Sequence, residues 1–450
     1  MRPLHLALLA GVVSLAALPR AQAVTLDEVL VQVYLESPRL AAARAKLRGV
    51  DETVPMALAG WRPRLTAASG AAFSRASTQD GEQTLGTLRQ TVSLAQPIYS
   101  GGATTAETAQ AENEVRAERA RLAAAEQEVL VEAVDAFTAV ARDRAVLDLA
   151  LRNERRLAEQ VVGTRDRYRF GELTRTDVSQ AESRAERGVA DRIRAEGELA
   201  VSAARYRRVI GAEPTELALP DPLDEAPLAA VEAPSLAEAT PEVTAARFAF
   251  AGARDSIDLA LAQTKPRLSL DGEAGYEREP STLIDYQRGF TLGATLSVPL
   301  YQGGGAYAKV RQSRQVLSQR RYARDDAERA ARSAIVEAWT SGATAAAVIR
   351  SVERQVAAAR FALAGVRQEA QIGARAVVDV LDAESELFEA QVQLARAERG
   401  RVVAAYQLLA ATGRLTAEDL GLPLAYDGQE AVPGKAGSDG MDPGTGNVDE

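Results

Sequence analysis

The sequence predicts a mixed α+β protein built twice from one plan, in which an amphipathic strand hairpin is followed by long helices. Three observations predict it. The chain resembles itself at a shift of about 202 residues, two segments alternate apolar and polar residues, and long tracts rich in Ala, Glu, Arg, Leu and Gln lack proline and glycine. Aromatic residues make up only 5% of the 450 residues, which favours long helices over compact globular cores.

The N-terminus has the pattern of a secretory signal peptide. Arg2 precedes an apolar run from Leu4 to Leu18, and the segment closes on Ala21-Gln22-Ala23, an A-x-A cleavage site. We therefore expect residues 1–23 to be removed on export. No later segment has the roughly 18 consecutive apolar residues that a spanning helix needs, so the mature chain is predicted to have no transmembrane helix.

Export limits the chemistry that the chain can perform. Cleavage removes Arg2, Arg20 and no acid, which takes the formal net charge from −9 to −11 and argues against nucleic acid as a partner. It also removes His5, the one histidine, and the chain has no cysteine. Without His or Cys there is no Ser-His-Asp or Cys-His pair, no disulfide, no lipid-anchored N-terminus and no usual zinc or copper site, so we predict neither an enzyme nor a cofactor.

The internal repeat divides the chain into residues 24–210 and 242–424, joined by a proline-rich connector at 211–241. The segment Gln-Pro-Ile-Tyr-Ser-Gly-Gly at 96–102 recurs as Val-Pro-Leu-Tyr-Gln-Gly-Gly at 298–304. Each repeat has the predicted order helix, two strands, long helices. The strand-to-helix joints are marked by Pro97, Gly101 and Gly102 in the first repeat and by Pro299, Gly303 and Gly304 in the second.

Strand hairpins are predicted at about 64–98 and about 267–300. In the second hairpin Leu268, Leu270 and Tyr276 share one parity, whereas Asp271 and Glu273 occupy the other, which is typical of a strand with two unlike faces. Each run has about 10 to 14 residues, which suits a tilted membrane strand. The alternative is a hairpin half-buried on a soluble core. The export signal, and the lack of other apolar sequence to cover that face, favour the membrane.

Long helices are predicted to follow each hairpin. No proline or glycine occurs from Ala103 to about Gln160, which allows one helix of roughly 90 Å. Apolar residues recur there at a spacing of seven, the pattern of a coiled-coil seam. The charged residues between them are interpreted as solvated or helix-pairing faces.

Two helical hairpin tips are predicted where Gly171 and Gly373 interrupt the helical pattern. Each glycine is expected to end one helix, and Thr176 or Asp177 is expected to cap the next. In the second repeat Asp379 and Asp382 are three residues apart, so they lie on one face of the new helix. Several chains around an axis would bring such carboxylates into rings, an arrangement by which pores favour cations.

Taken together, residues from 24 to about 420 resemble the TolC family of outer-membrane channels. The resemblance depends on Thr-Leu-Asp-Glu at 25–28, the two strand exits, the internal duplication and Val-Asp-Val-Leu-Asp-Ala at 378–383. It implies a mixed membrane α+β fold: a trimeric 12-stranded outer-membrane β-barrel with four strands per chain, continued by a long periplasmic α-helical barrel. The number of strands also favours a trimer. Bacterial barrels start at about eight strands, so the four strands of one chain cannot close a barrel, and the eight strands of two chains would form a barrel that is filled by its own side chains.

The resemblance also implies functional residues and partners. Asp379 and Asp382 correspond to a periplasmic constriction, and the tips correspond to a gate and an adaptor contact formed by Gly171, Thr176, Asp177, Gly373 and Arg375. The aromatic residue that the family places three positions before the tip glycine is Ala370 here. Expected partners are a second and third copy of the chain, a periplasmic adaptor, an inner-membrane transporter and outer-membrane lipid.

The main alternative is a periplasmic adaptor-like coiled coil, which would also have an export signal and long helices. Its strands would occur once, so the duplicated hairpins argue against it. The cargo stays open between protein and drugs, although the segment around Trp61 resembles the type I protein-secretion branch. Residues 425–450 are rich in Gly, Pro and acids, and we expect a disordered tail.

Overall fold

The computed structural model describes residues 24–79, 81–215, 217, 233–281 and 284–422. The predicted signal peptide, the acidic tail and much of the connector lie outside the described residues. The first half contains α1 (Leu26–Glu36), α2 (Pro38–Asp51), α3 (Thr53–Leu58), a 3₁₀ turn (Ala59–Trp61), β1 (Arg64–Thr78), β2 (Gly81–Tyr99), α4 (Ala103–Arg169) and α5 (Arg175–Ile210). The second half contains α6 (Ala233–Glu238), α7 (Pro241–Ala262), β3 (Arg267–Ser281), β4 (Ile284–Ser297), α8 (Gly305–Gln371) and α9 (Val377–Ala411).

The two hairpins form one antiparallel sheet with strand order β1-β2-β3-β4. The central pairing joins the two repeats, with Val92 of β2 opposite both Ala67 of β1 and Ala274 of β3. Pro97 lies at a register shift in β2, where the missing amide donor is tolerated. Within the described chain β1 and β4 are paired on one side only, so each leaves a row of backbone donors and acceptors open.

The sheet has one apolar face and one polar face, as the alternation predicts. The register places Leu65, Phe73, Val92, Leu94, Phe290, Leu292 and Leu296 on the same face, and these side chains are 36 to 76% exposed. Asp271, Glu273 and Thr291 lie on the opposite face. Leaving such a continuous apolar surface in water is unfavourable, and no other part of the described chain covers it.

The helices α4 and α8 each have 67 residues, a length of roughly 100 Å at about 1.5 Å per residue. α4 extends past the predicted limit near Gln160 because Gly163 is accommodated inside the helix, where packing outweighs the low helix propensity of glycine. None of the described helices has an apolar stretch long enough to cross a membrane.

The largest apolar cluster lies where α1 and the C-terminal segment meet the middle of α4 and the ends of α5 and α9. Its fully buried members include Leu30, Leu130, Phe137 and Leu415. The start of α1 is fixed by a capping box, in which Thr25 and Glu28 each accept a hydrogen bond from the other's backbone N–H. This cluster anchors the middle of α4 and the C-terminal ends of α5 and α9. The hairpin tips lie at the opposite ends of α5 and α9.

Candidate gate at the hairpin tips

The two hairpin tips have the same backbone geometry. Gly171 and Gly373 have φ angles of +77° and +78°, a left-handed conformation that only glycine adopts without strain. The backbone N–H of Glu172 donates to Arg167 O at 3.0 Å, and the N–H of Ala374 donates to Glu369 O at 2.9 Å. Both helices therefore end in a Schellman motif, which satisfies carbonyls that would otherwise lack partners.

The starts of the two following helices differ. At the first tip the N-cap is Thr174, not Thr176: Asp177 N–H donates to Thr174 Oγ1, and the Asp177 carboxylate accepts from Thr174 N and Oγ1 at 2.8 and 2.7 Å. These bonds lower the pKa of the Asp177 carboxyl. Thr176 is exposed. Sequence reasoning missed Thr174 because a threonine also stands two residues later.

At the second tip Ala376 takes the N-cap position and has no side-chain oxygen to offer. Asp379 is related to Asp177 by the repeat shift of 202, so it occupies the same third position of its helix. Its carboxylate lies 3.9 Å from Nη1 of Arg375, whose Nε donates to Glu369 at 2.8 Å. The bond to Glu369, assisted by the charge of Asp379, raises the pKa of Arg375. Asp379 is thus not used as a cap.

Asp382 interacts with the other hairpin. Its Oδ1 lies 2.6 Å from Nη2 of Arg184 on α5, and two turns further along α9 Glu389 lies 3.1 Å from Arg187. These two ion pairs, here called the cross-hairpin pairs, join the first repeat to the second. Other pairs near the tips stay inside one hairpin, such as Arg165 with Glu182.

An apolar layer lies beneath the charged groups. Leu157 and Val161 of α4 pack with Ala181 of α5 and with Val377 and Leu381 of α9, and all five side chains are at most 8% exposed. The two hairpins are therefore held together near their tips by a small apolar cluster as well as by the cross-hairpin pairs.

The structure brings together some of the predicted site residues and separates others. Arg375 and Asp379 are neighbours, and Asp382 lies one turn further along α9. Within the described part of one chain, no hydrogen bond or ion pair joins Arg375 to Thr176 or Asp177. Arg184, Arg187 and Glu389 were not predicted as site residues, because charges on the long helices were interpreted as ordinary solvated or helix-pairing faces. A signal was present: Arg187 and Glu389 are 202 residues apart, so they are equivalent positions of the two repeats with opposite charges.

The predicted strand-to-helix joints lie at the other end of the long helices. Gly102 and Gly304 are the N-caps of α4 and α8, and both have positive φ. Gly101 and Gly303 are also left-handed, with φ angles of +68° and +60°. Pro299 follows the end of β4. These residues turn the chain from strand to helix.

The sequence profile of the family "Outer membrane efflux protein" matches residues 29–212 and 233–414. The chain is 33% identical over 404 residues to "Outer membrane efflux protein BepC" of Brucella suis biovar 1, covering 89% of this chain and 88% of the relative. It is 27% identical over 412 residues to "Outer membrane protein TolC" of Vibrio cholerae, covering 88% and 92%. A solved structure, the Campylobacter jejuni CmeC outer membrane channel, superposes with a TM-score of 0.79 at 12% identity, covering 86% of this chain and 85% of that one.

The chain belongs to the outer membrane efflux protein family, and the predicted resemblance to TolC-type channels is confirmed. The predicted fold class, an internally duplicated outer-membrane channel fold with four strands per chain and a long helical part, is confirmed as well. The protein is an outer-membrane channel for efflux or type I secretion, located in the outer membrane and extending into the periplasm. Members of this family are channels, and the adaptor-like alternative is not supported.

Proposed function

We propose that three copies of this chain assemble into one passive conduit, without catalytic activity of its own. The main support for this proposal is that the sheet has an open edge on both sides. In the proposed trimer, β4 of one copy pairs with β1 of the next until twelve strands close the barrel. Closure leaves the apolar face toward lipid and the polar face toward the lumen. The predicted partners outside the trimer are a periplasmic adaptor and an inner-membrane transporter, which supply the energy.

In this assembly the hairpin tips form the periplasmic gate. Asp379 and Asp382 each contribute to a ring of three carboxylates, which attracts cations to the entrance. Asp379 is suited to this role because Ala376 leaves its carboxylate free of the capping bonds that hold Asp177. Gly171, Thr176, Gly373 and Arg375 are exposed and Asp177 is half-buried, and these five residues provide the tip surface for neighbouring copies and for the adaptor.

Opening requires the two hairpins of each chain to move apart, which breaks the cross-hairpin pairs. Arg184 and Asp382 are 33% and 57% exposed, so their pair contributes little free energy by itself, about 0.2 to 1 kcal/mol. A weak lock suits a gate that a docked adaptor must open. The Arg184–Asp382 pair also replaces a contact that would keep the tip closed. The residue that is aromatic in the TolC pattern is Ala370 in this chain.

Single-channel recording in planar bilayers tests the gate. The Asp379→Ala, Asp382→Ala double variant should lose block by divalent cations added to the periplasmic side, because both carboxylate rings are gone. Arg184→Ala should favour the open state by up to about fivefold for each chain, because each of the three chains loses one weak ion pair. Cation block that is unchanged in the double variant would refute the assignment of the constriction.

A matched control separates gating from general loosening of the helices. Arg165→Ala removes the Arg165–Glu182 pair, which lies within a single hairpin and has similar geometry. Its open probability should stay at the wild-type value. The charge swap Arg184→Asp with Asp382→Arg should restore closure. If the swapped channel stayed open and the Arg165→Ala channel were open as well, any change of surface charge would open the tips, and the assigned role of the cross-hairpin pairs would be wrong.

A further inference from the structure

Two arginines and two tyrosines form a compact patch on the apolar face of the sheet, near the end farthest from the helices. Tyr276 of β3 lies opposite Arg288 of β4, and Arg278 of β3 lies opposite Tyr286 of β4. These are two successive cross-strand pairs on the same face, so each tyrosine is next to both arginines. The two tyrosine rings stack at 6.3 Å between centroids. All four side chains are exposed.

This patch stands on the face that the apolar residues occupy. Arg288 has the same parity as Phe290, Leu292 and Leu296, which point away from the polar face. A single arginine at a lipid-facing position is strongly unfavourable at the bilayer midplane but costs almost nothing at the interface. Its position along the strand therefore decides whether Arg288 is tolerated.

The strand geometry places Arg288 at the outer boundary of the hydrocarbon. From Phe290 to Val298 the chain makes eight steps, which at about 3.4 Å each and a tilt of about 40° cover roughly 21 Å. An outer-membrane barrel has an apolar band about 25 Å tall. Arg288 and Tyr286 follow directly beyond Phe290, at the level where tyrosine rings and charged headgroups meet.

The charges of the patch are only weakly compensated. Arg278 lies 3.7 Å from the carboxylate of the adjacent Glu279, and both side chains are about half exposed or more. Arg288 has no hydrogen-bond or ion-pair partner among the residues that the structure describes. By contrast, Arg89 on the polar face is held by Glu277 at 3.3 Å.

We propose that Tyr276, Arg278, Tyr286 and Arg288 bind the phosphate of an anionic glycolipid in the outer leaflet of the outer membrane. The two guanidinium groups supply the charge and the hydrogen bonds that a phosphate accepts, and the stacked tyrosines hold them at headgroup level. The occupant is a lipid because the patch continues the apolar face, which surrounds it on the side toward the helices. This inference rests on the proposed closed barrel, which fixes that face toward lipid.

The test uses the purified, assembled protein in nanodiscs and measures its thermal dissociation with added bisphosphorylated lipid A or with lipid A from which the phosphates have been removed. The wild type should be stabilised more by the phosphorylated form. In Arg278→Gln and Arg288→Gln the apparent affinity for it should fall about fivefold each, the effect of roughly one basic residue at a charged membrane surface. The double variant should no longer distinguish the two lipids.

Arg89→Gln is the matched control, since it removes an arginine from the neighbouring strand on the polar face. It should keep the wild-type preference for phosphate. An unchanged preference in the double variant overturns the proposal, as does equal stabilisation of the wild type by inorganic phosphate alone. Conductance in planar bilayers, recorded for the same preparations, separates the two proposals: a conducting double variant without lipid preference leaves the channel assignment intact.

Discussion

The two repeats have related sequences but unlike surroundings. Val134 and Phe137 of α4 are 1% and 0% exposed, whereas the residues 202 positions later, Val336 and Trp339 of α8, are 49% and 38% exposed. In the first repeat α1, α2 and α3 cover α4, and α7 packs on it as well. In the described chain, α8 is covered mainly by α6, α7 and α9. The second repeat is therefore an incomplete copy of the first, and a neighbouring chain is the natural source of the missing cover.

The same difference holds at the strand-to-helix joints. Ile98 and Tyr99 are about half exposed, while their equivalents Leu300 and Tyr301 are 92% and 89% exposed. A Cβ atom added to Gly101 would lie 2.9 Å from the carbonyl oxygen of Ala262, but one added to Gly303 would meet nothing within 4 Å. Within one chain the second repeat packs against the first joint. In the proposed trimer, the first repeat of a neighbouring chain would pack against the second joint.

The largest expected effect on stability comes from substitutions at Phe137 and at its equivalent in the second repeat, Trp339. Phe137→Ala should destabilise the chain by about 3 to 5 kcal/mol, because it empties a fully buried site. Trp339→Ala should leave the helix content intact and weaken the trimer. Circular dichroism reports the first effect and light scattering in detergent the second. If Trp339→Ala unfolded the chain while the trimer stayed intact, the missing-cover explanation would be wrong.

A smaller effect is expected at the joints. Gly101→Ala and Gly303→Ala both force a residue with a Cβ into a left-handed conformation, at about 1 to 2 kcal/mol each. Gly101→Ala adds a clash with backbone, so thermal melting of the monomeric chain in detergent should show the larger loss for Gly101. Equal losses of stability in the assembled protein would show that a neighbouring chain encloses Gly303 as the second repeat encloses Gly101.

The smallest effect concerns the helix caps of the two tips. Thr174→Ala should cost about 1 kcal/mol, and Ala376→Thr should add a cap that engages Asp379 and weakens cation block. The pKa of Asp177 is lowered in the folded state, so its contribution is present above its unfolded pKa of about 3.9 and is lost as the pH falls through the folded value. The difference in melting temperature between wild type and Asp177→Asn should therefore disappear in acid, and a difference that persists would contradict the capping role.

Local patterns were sufficient to predict the elements. The alternation from Leu268 to Tyr276 predicted a two-faced strand because side-chain direction in a strand follows residue parity alone. Gly171 and Gly373 marked the tips because a left-handed residue at a helix end depends only on its own backbone. The absence of proline predicted long helices, although their continuation through Gly163 depended on packing with other helices.

The positions of the strands, helices and tips, and the repetition of one plan, could be read from the amino-acid sequence. The pairing of β2 with β3, the capping by Thr174 and the contact of Arg184 with Asp382 across 198 residues became visible in the folded chain. This is because an exposed arginine on a helix has several carboxylates within reach at nearly equal free energy. Which one it meets is set by the helices that pack beside it, and that adjacency is a property of the whole fold.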